Sequence, residues 1–265
     1  MLEGVAIIGA GPAGITTALT LVELGYPGDK ITIIDSGEDL WTRKEENEKG
    51  FFGKCRYGYN ILPEEVGVGG DLETYMTVEE STRYLNQAIS IFKRYNDTQD
   101  LPVIAKKSKY KKLVIGKEGF ERTLAMIWVK LYKAGVKFLY NTEVNYLQNT
   151  LVNYSNINEE STINAEVVVI SSGIEELTYL YHFTESNSLQ PTEELKLDEV
   201  KTNLFLLDIN HTEVPKPRIK VNKNFEIPEF KNIYTVGSLV GGFSVTSAMA
   251  QGIKLGEIIY EQSKQ

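Results

Sequence analysis

Residues 5–14 read VAIIGAGPAG and fit the pattern GxGxxG at Gly9, Gly11 and Gly14. Each glycine answers to a different need: Gly9 permits a tight turn, Gly11 lets the backbone approach a pyrophosphate, and Gly14 lets the next helix pack closely on the strand. Pro12 and Ala13 open that helix, whose N-terminus offers amide donors and partial positive charge to a phosphate. Asp35 stands 21 positions beyond Gly14, about where the fingerprint requires an acid to accept ribose hydroxyls. The bland alternative is an acid that merely ends a strand ahead of the Ser36-Gly37 turn. With strand, turn, helix, strand and acid in order, the pattern points to a bound dinucleotide, and Ser36 joins the candidate set.

The rest of the reactive inventory is thin. Cys55 is the single cysteine of 265 residues, and His182 and His211 are the two histidines. That excludes an intramolecular disulfide framework, a CxxC redox pair and a multi-cysteine metal site, and no metal is expected. Cys55, Arg56 and Tyr57 are the weak catalytic candidates: a reactive thiol, a cation for a substrate carboxylate and a phenol able to donate a proton. A lone cysteine is more often a small buried hydrophobe. Gly69 and Gly70 read as a turn rather than a ligand contact. The formal charge of −8 and pI near 5.1 argue against a nucleic-acid partner. The stretch Lys106, Lys107, Lys109, Lys111 and Lys112 reads as a solvated loop or edge strand rather than a phosphate patch.

The elements that must position these residues follow from periodicity. An apolar strand precedes Gly9, a helix runs from Gly14 to Leu24-Gly25, and Ile31–Ile34 forms a second strand ending at Asp35. Thr77-Val78-Glu79-Glu80 is a capping box for a helix running toward Tyr95, with Leu85, Ala88, Ile89 and Phe92 on one face. A second long helix is expected from about Glu118 to Lys133, carrying Phe120, Leu124, Ile127, Trp128 and Leu131 as a packed stripe. After a strand at 136–140, the segments 144–147 and 151–154 suggest an antiparallel meander. It leads to a buried strand in Ala165–Ile170, ending in Ser171-Ser172-Gly173. A strand at 233–236, the glycines 237, 241 and 242, and a helix from about Ser244 to Glu261 repeat the opening theme of strand, glycine and helix. The first strand begins within five residues of Met1, leaving no room for a signal peptide, and no apolar run approaches the length of a membrane span. A cytoplasmic location is therefore expected.

GAGPAG with Asp35, VVVISSG, and NIYTVGS followed by GG and a helix together resemble the glutathione-reductase-type superfamily of FAD-dependent oxidoreductases. The resemblance covers about 120 residues and does not reach a substrate domain. It implies an α/β fold: a Rossmann-like FAD-binding domain with a parallel sheet and β-meander, formed by 1–45, 113–175 and 226–265. A smaller inserted α+β substrate or cap region would comprise 46–112 and 176–225. The implied cofactor is FAD, held by Gly9, Gly11, Pro12, Ala13, Gly14, Asp35, Ser36, Arg43, Val144, Ser171, Gly173, Gly237, Ser238 and Gly242. Val144 resembles the position that pairs with adenine, and Arg43 a basic residue near the pyrophosphate; a plain strand residue and a solvated charge are the alternatives. Ser238 stands where the superfamily usually has aspartate, and Ser171-Ser172 where it has Ala-Thr.

No second GxGxxG follows, so a dedicated NAD(P)H domain is not expected. The expected activity is hydride exchange between a small-molecule substrate and flavin. Alternatives are an NAD-dependent dehydrogenase built on the first βαβ unit and a non-catalytic FAD-binding subunit. A homo-oligomer or a redox partner protein is compatible with either class.

Overall fold

From Val5 to Ile8 every side chain is apolar, which suits a strand covered on both faces. The computed structural model describes residues 3–39, 42, 64–65, 75–95, 103–104, 112–113, 117–172, 219–228, 230–240 and 245–265. In it this run is β1 (Glu3–Ile8), the centre of a seven-stranded sheet. β2 (Ile31–Ile34) lies parallel on one side, with Ile8 opposite Ile34. On the other side lies the second half of β9 (Glu160–Ile170), with Ile8 opposite Ile170. β10 (Ile233–Thr235) continues the parallel set beyond β9, Thr235 level with Ile170, and β6 (Lys137–Leu139) extends it beyond β2.

The meander runs without a break into the buried strand, because its third strand and the segment Ala165–Ile170 are one strand, β9, of 11 residues. Its first half pairs antiparallel with β8 (Leu151–Ser155), which pairs in turn with β7 (Glu143–Gln148). Burial alternates at first and becomes continuous over the last three residues, because only the second half enters the parallel sheet and is covered on both faces.

Alternation along β1 divides the core. Val5 and Ile7 join Ile31, Ile33 and Val169 beneath a layer of helices, whereas Ala6 and Ile8 join Val152, Tyr154, Ile163 and Ile170 on the meander side. The result is helices, parallel sheet and β-meander in three layers, the expected Rossmann-like arrangement.

The helical layer starts with α1 (Pro12–Leu24), the crossover from β1 to β2. It ends in a Schellman turn: Gly25 is left-handed at φ 97°, its N–H donates to the Val22 carbonyl, and the Tyr26 N–H donates to the Leu21 carbonyl. Beside it lie α2 (Val78–Tyr95), α3 (Lys117–Lys133) and α4 (Val245–Ser263). The capping box of α2 forms as read, the Glu80 N–H donating to Thr77 Oγ1 at 3.2 Å and the Thr77 N–H to Glu80 Oε2 at 2.8 Å.

Although α2 falls within the stretch 46–112, its face of Tyr84, Leu85, Ala88, Ile89 and Phe92 enters the same core as α1 and α4. Charged ties reinforce that seat. Glu257 accepts two bonds from Arg83 and one from the Tyr84 hydroxyl, and Glu23 accepts from both Arg94 and Lys130. Three two-residue strands, β3 (Glu64–Glu65), β4 (Val103–Ile104) and β5 (Lys112–Leu113), form a separate antiparallel sheet in the order β3-β5-β4.

Candidate functional site

Because β1, β9 and β10 are parallel and in register at Ile8, Ile170 and Thr235, the turns that follow them emerge at one edge of the sheet. Those turns are Gly9–Gly14, Ser171-Ser172 and Gly237-Ser238. In an open α/β sheet this carboxyl edge is where ligands bind.

The first turn is held from several sides. Gly9 takes φ +100°, and its N–H donates to the Ile34 carbonyl at 2.7 Å. A Cβ there would lie 2.6 Å from the Ser171 carbonyl oxygen, and one on Gly14 would come well inside 3.0 Å of the Gly9 carbonyl. Gly9 and Gly14 are therefore glycine for reasons internal to the fold.

Gly11 is different. Its φ of −73° is open to any residue, and a Cβ would meet nothing nearer than the Ser171 carbonyl at 3.7 Å. Neither strain nor packing demands glycine, whereas close approach of a ligand to the backbone would. Gly11 is also the N-cap of α1, with Pro12 first in the helix. The first-turn amides of Ala13 and Gly14 precede the first intrahelical donor, the Ile15 N–H, which bonds the Gly11 carbonyl, and point out of the helix end.

Asp35 is nearly fully buried and accepts the Ala10 N–H on Oδ2 at 2.7 Å and the Gly37 N–H on Oδ1 at 2.8 Å. A carboxylate offers about four lone-pair sites, and these two backbone N–H groups take one on each oxygen and fix its orientation. Its backbone is tied down as well: the Asp35 N–H donates to the Leu139 carbonyl, and the Thr142 N–H donates to the Asp35 carbonyl. Half-buried Ser36 follows it, and the Asn141 N–H donates to the Gly37 carbonyl. The connection from β6 to β7 thus runs alongside the acid, which places Val144, half-buried at a β-bulge, two residues beyond Thr142.

Ser171 donates its hydroxyl to the carbonyls of Ile8 and Gly9, each at 2.9 Å. Gly237, at φ +88°, lies against α1: a Cβ on it would stand 3.3 Å from the Ala13 Cβ. Ser238, half-buried, opens the 3₁₀ turn Ser238–Val240. The Gly237 N–H is received by Oε1 of fully buried Gln251 at 2.7 Å. Sequence reasoning missed Gln251; its signal was one amide among the small and apolar residues of α4, beside Ala248, Met249 and Gly252.

Arg43, Gly173, Gly242, Cys55, Arg56 and Tyr57 lie outside the described residues. Among the described residues there is no group of three or more His, Cys, Asp or Glu placed to hold a metal ion, and no helix is long and apolar enough to cross a membrane.

The described turns fit the adenosine diphosphate half of FAD: an open glycine over a helix N-terminus, a buried acid at the end of the second strand, and a second glycine turn against Ala13. Layering, strand order and these turns define a Rossmann-like α/β fold of the FAD-binding type.

Solved structures share it. Thermovibrio ammonificans THI4 superposes with a TM-score of 0.54 at 15% identity, over 99% of this chain and 90% of its own. Mycobacterium smegmatis Sdh1 does so at 0.60 and 10%, over 98% and 68%. L-proline dehydrogenase from P. horikoshii does so at 0.52 and 12%, over 98% and 94%. No protein-family model matches the chain, and no curated protein sequence does.

Proposed function

We propose that this chain is an FAD-dependent oxidoreductase acting on a small molecule, without a dedicated NAD(P)H domain. The observation that carries the reading is Gly11: it has neither a strained φ nor a crowded Cβ site, and it stands over a helix N-terminus at the carboxyl edge of the sheet. In this reading the amides of Ala13 and Gly14 receive the pyrophosphate, and Asp35 accepts the ribose hydroxyls. Val144 lies along the adenine, while Gly237 and Ser238 bound the ribityl side. Ser238 offers a neutral hydroxyl where aspartate is usual, so this end of the site carries less negative charge toward the phosphates. When bound, FAD supplies the hydride-accepting centre, and the protein orients it and excludes water.

Among the solved structures of like fold, one is named a dehydrogenase and Sdh1 is described in complex with UQ1. These names suggest including quinones among the acceptors screened. The test is a visible spectrum of the purified or FAD-reconstituted protein, followed by anaerobic addition of candidate donors. Flavin bands that bleach with a donor and return with an acceptor are expected. Colourless protein that takes up no FAD would sink the proposal, and NADH binding without flavin binding would favour an NAD-dependent dehydrogenase.

A further inference from the structure

The peptide unit joining Gly9 to Ala10 is gripped at both ends by buried side chains. Its N–H, that of Ala10, donates to Asp35 Oδ2 at 2.7 Å, and its carbonyl, that of Gly9, accepts from Ser171 Oγ at 2.9 Å. Both residues are 6% exposed. Gly9 sits at φ +100°, which glycine adopts without strain, and these two bonds fix the orientation of the peptide that follows it. Gly11, whose bare backbone faces the proposed pyrophosphate position, stands two residues on. Gly14 closes on the same point: a Cβ there would come within 2.5 Å of Ser171 Oγ.

We infer that Ser171 is a positioning residue for the dinucleotide turn, acting through the Gly9 carbonyl rather than by touching the cofactor. The inference rests on reading Gly9–Gly14 as a dinucleotide site. The Ser171 hydroxyl proton is directed at the Ile8 and Gly9 carbonyls, so its contribution to a ligand is preorganisation. A turn held in its binding geometry before the ligand arrives spares the ligand the cost of ordering it. Alanine, the more usual residue at this position in the resembling superfamily, has no hydroxyl with which to make this clamp.

The experiment titrates FAD by flavin fluorescence and ADP by calorimetry into the wild-type chain, Ser171→Ala and Ser171→Thr, with circular dichroism confirming that each is folded. Ser171→Ala is expected to weaken both ligands about tenfold, because both carry the diphosphate that the turn receives. Ser171→Thr, which keeps the hydroxyl, is expected to stay within about threefold of wild type. Unchanged affinity in Ser171→Ala overturns the inference. So does a loss for FAD without a loss for ADP, or a threonine variant as weak as the alanine one. If Ser171→Ala does not fold, Ser171→Cys, which keeps the bulk but donates weakly, is titrated in its place with the same expected direction. Wild-type protein that binds neither ligand refutes the dinucleotide reading, and the inference falls with it.

Discussion

Gly11 and Gly14 stand three residues apart yet answer to different constraints, and alanine substitution separates them. At Gly14 a Cβ would drive into the Gly9 carbonyl and the Ser171 hydroxyl, so Gly14→Ala is expected to cost about 1–3 kcal/mol of stability as overpacking. At Gly11 the Cβ site is free of crowding and φ is ordinary. Gly11→Ala should therefore stay within about 0.5 kcal/mol of wild type, yet lose FAD affinity at least about tenfold, since the methyl occupies the space the pyrophosphate needs. Urea unfolding and FAD titration of the same two proteins read both effects. A Gly11→Ala variant that binds FAD normally would remove the central support for a cofactor at this turn. The motif already named all three glycines and Asp35 from the sequence. What spacing did not reveal was the partner of each, because Ser171 lies more than 150 positions from the turn it holds, and no local pattern encodes a contact that distant.

At the scale of elements, the contact between α1 and α4 sets where the first turn of α1 sits. Gly252 and Gly256 on α4 face Ala13, Thr16, Thr17 and Thr20, and the Thr16 hydroxyl reaches the Met249 carbonyl at 3.3 Å. Gly252→Ala would press a methyl into the Ala13 carbonyl and Thr16 Oγ1. The gain in helix propensity, about 1 kcal/mol, offsets only part of an overpacking cost of about 1–3 kcal/mol. A lowered melting temperature is expected together with weakened FAD binding, since Ala13 moves with its helix.

The α2–α4 contact makes a different prediction. Burial, and then the Glu257 carboxylate, raise the Tyr84 hydroxyl well above the ordinary tyrosine range. A group whose pKa is raised on folding stabilises fully below its unfolded value and loses that contribution as pH rises past it. Stability should therefore decline above about pH 10, the ordinary tyrosine value, and Tyr84→Phe should decline less steeply in alkaline melts. Part of the slope will remain, because burial also raises Tyr26, Tyr75 and Tyr234. An unchanged alkaline slope in Tyr84→Phe would refute the coupling. The amphipathic pattern of α2 was plain in the sequence, whereas its neighbours were not: periodicity shows that a face is buried but not what covers it.

Across the whole molecule, the proposed site is assembled from the first turn of the chain, the end of β9 and the turn after β10, so it exists only when both ends of the sequence share one core. Parallel order explains why the β1–α1–β2 unit was readable as a local motif while the site as a whole was not. Each further strand enters through a distant crossover, and its register with β1 is a tertiary fact. The same dependence shows in α4, which buries Ala248, Met249, Ile253, Leu255 and Ile259 and places Gln251 under Gly237. A chain ending before Val245 keeps every residue of the GxGxxG turn and Asp35, yet it leaves the small-residue face of α1 and the apolar face of α2 uncovered. Burying side chains of this kind is worth about 1.5–3 kcal/mol apiece for the larger ones, several times over what a marginally stable fold can lose. The truncated chain is therefore expected to lose its cooperative urea transition and its near-ultraviolet circular dichroism, and to bind no FAD despite an intact motif. A truncated protein that unfolds cooperatively and binds FAD with wild-type affinity would show that the first βαβ unit holds the cofactor by itself, and that α4 is an accessory to the site rather than one of its walls.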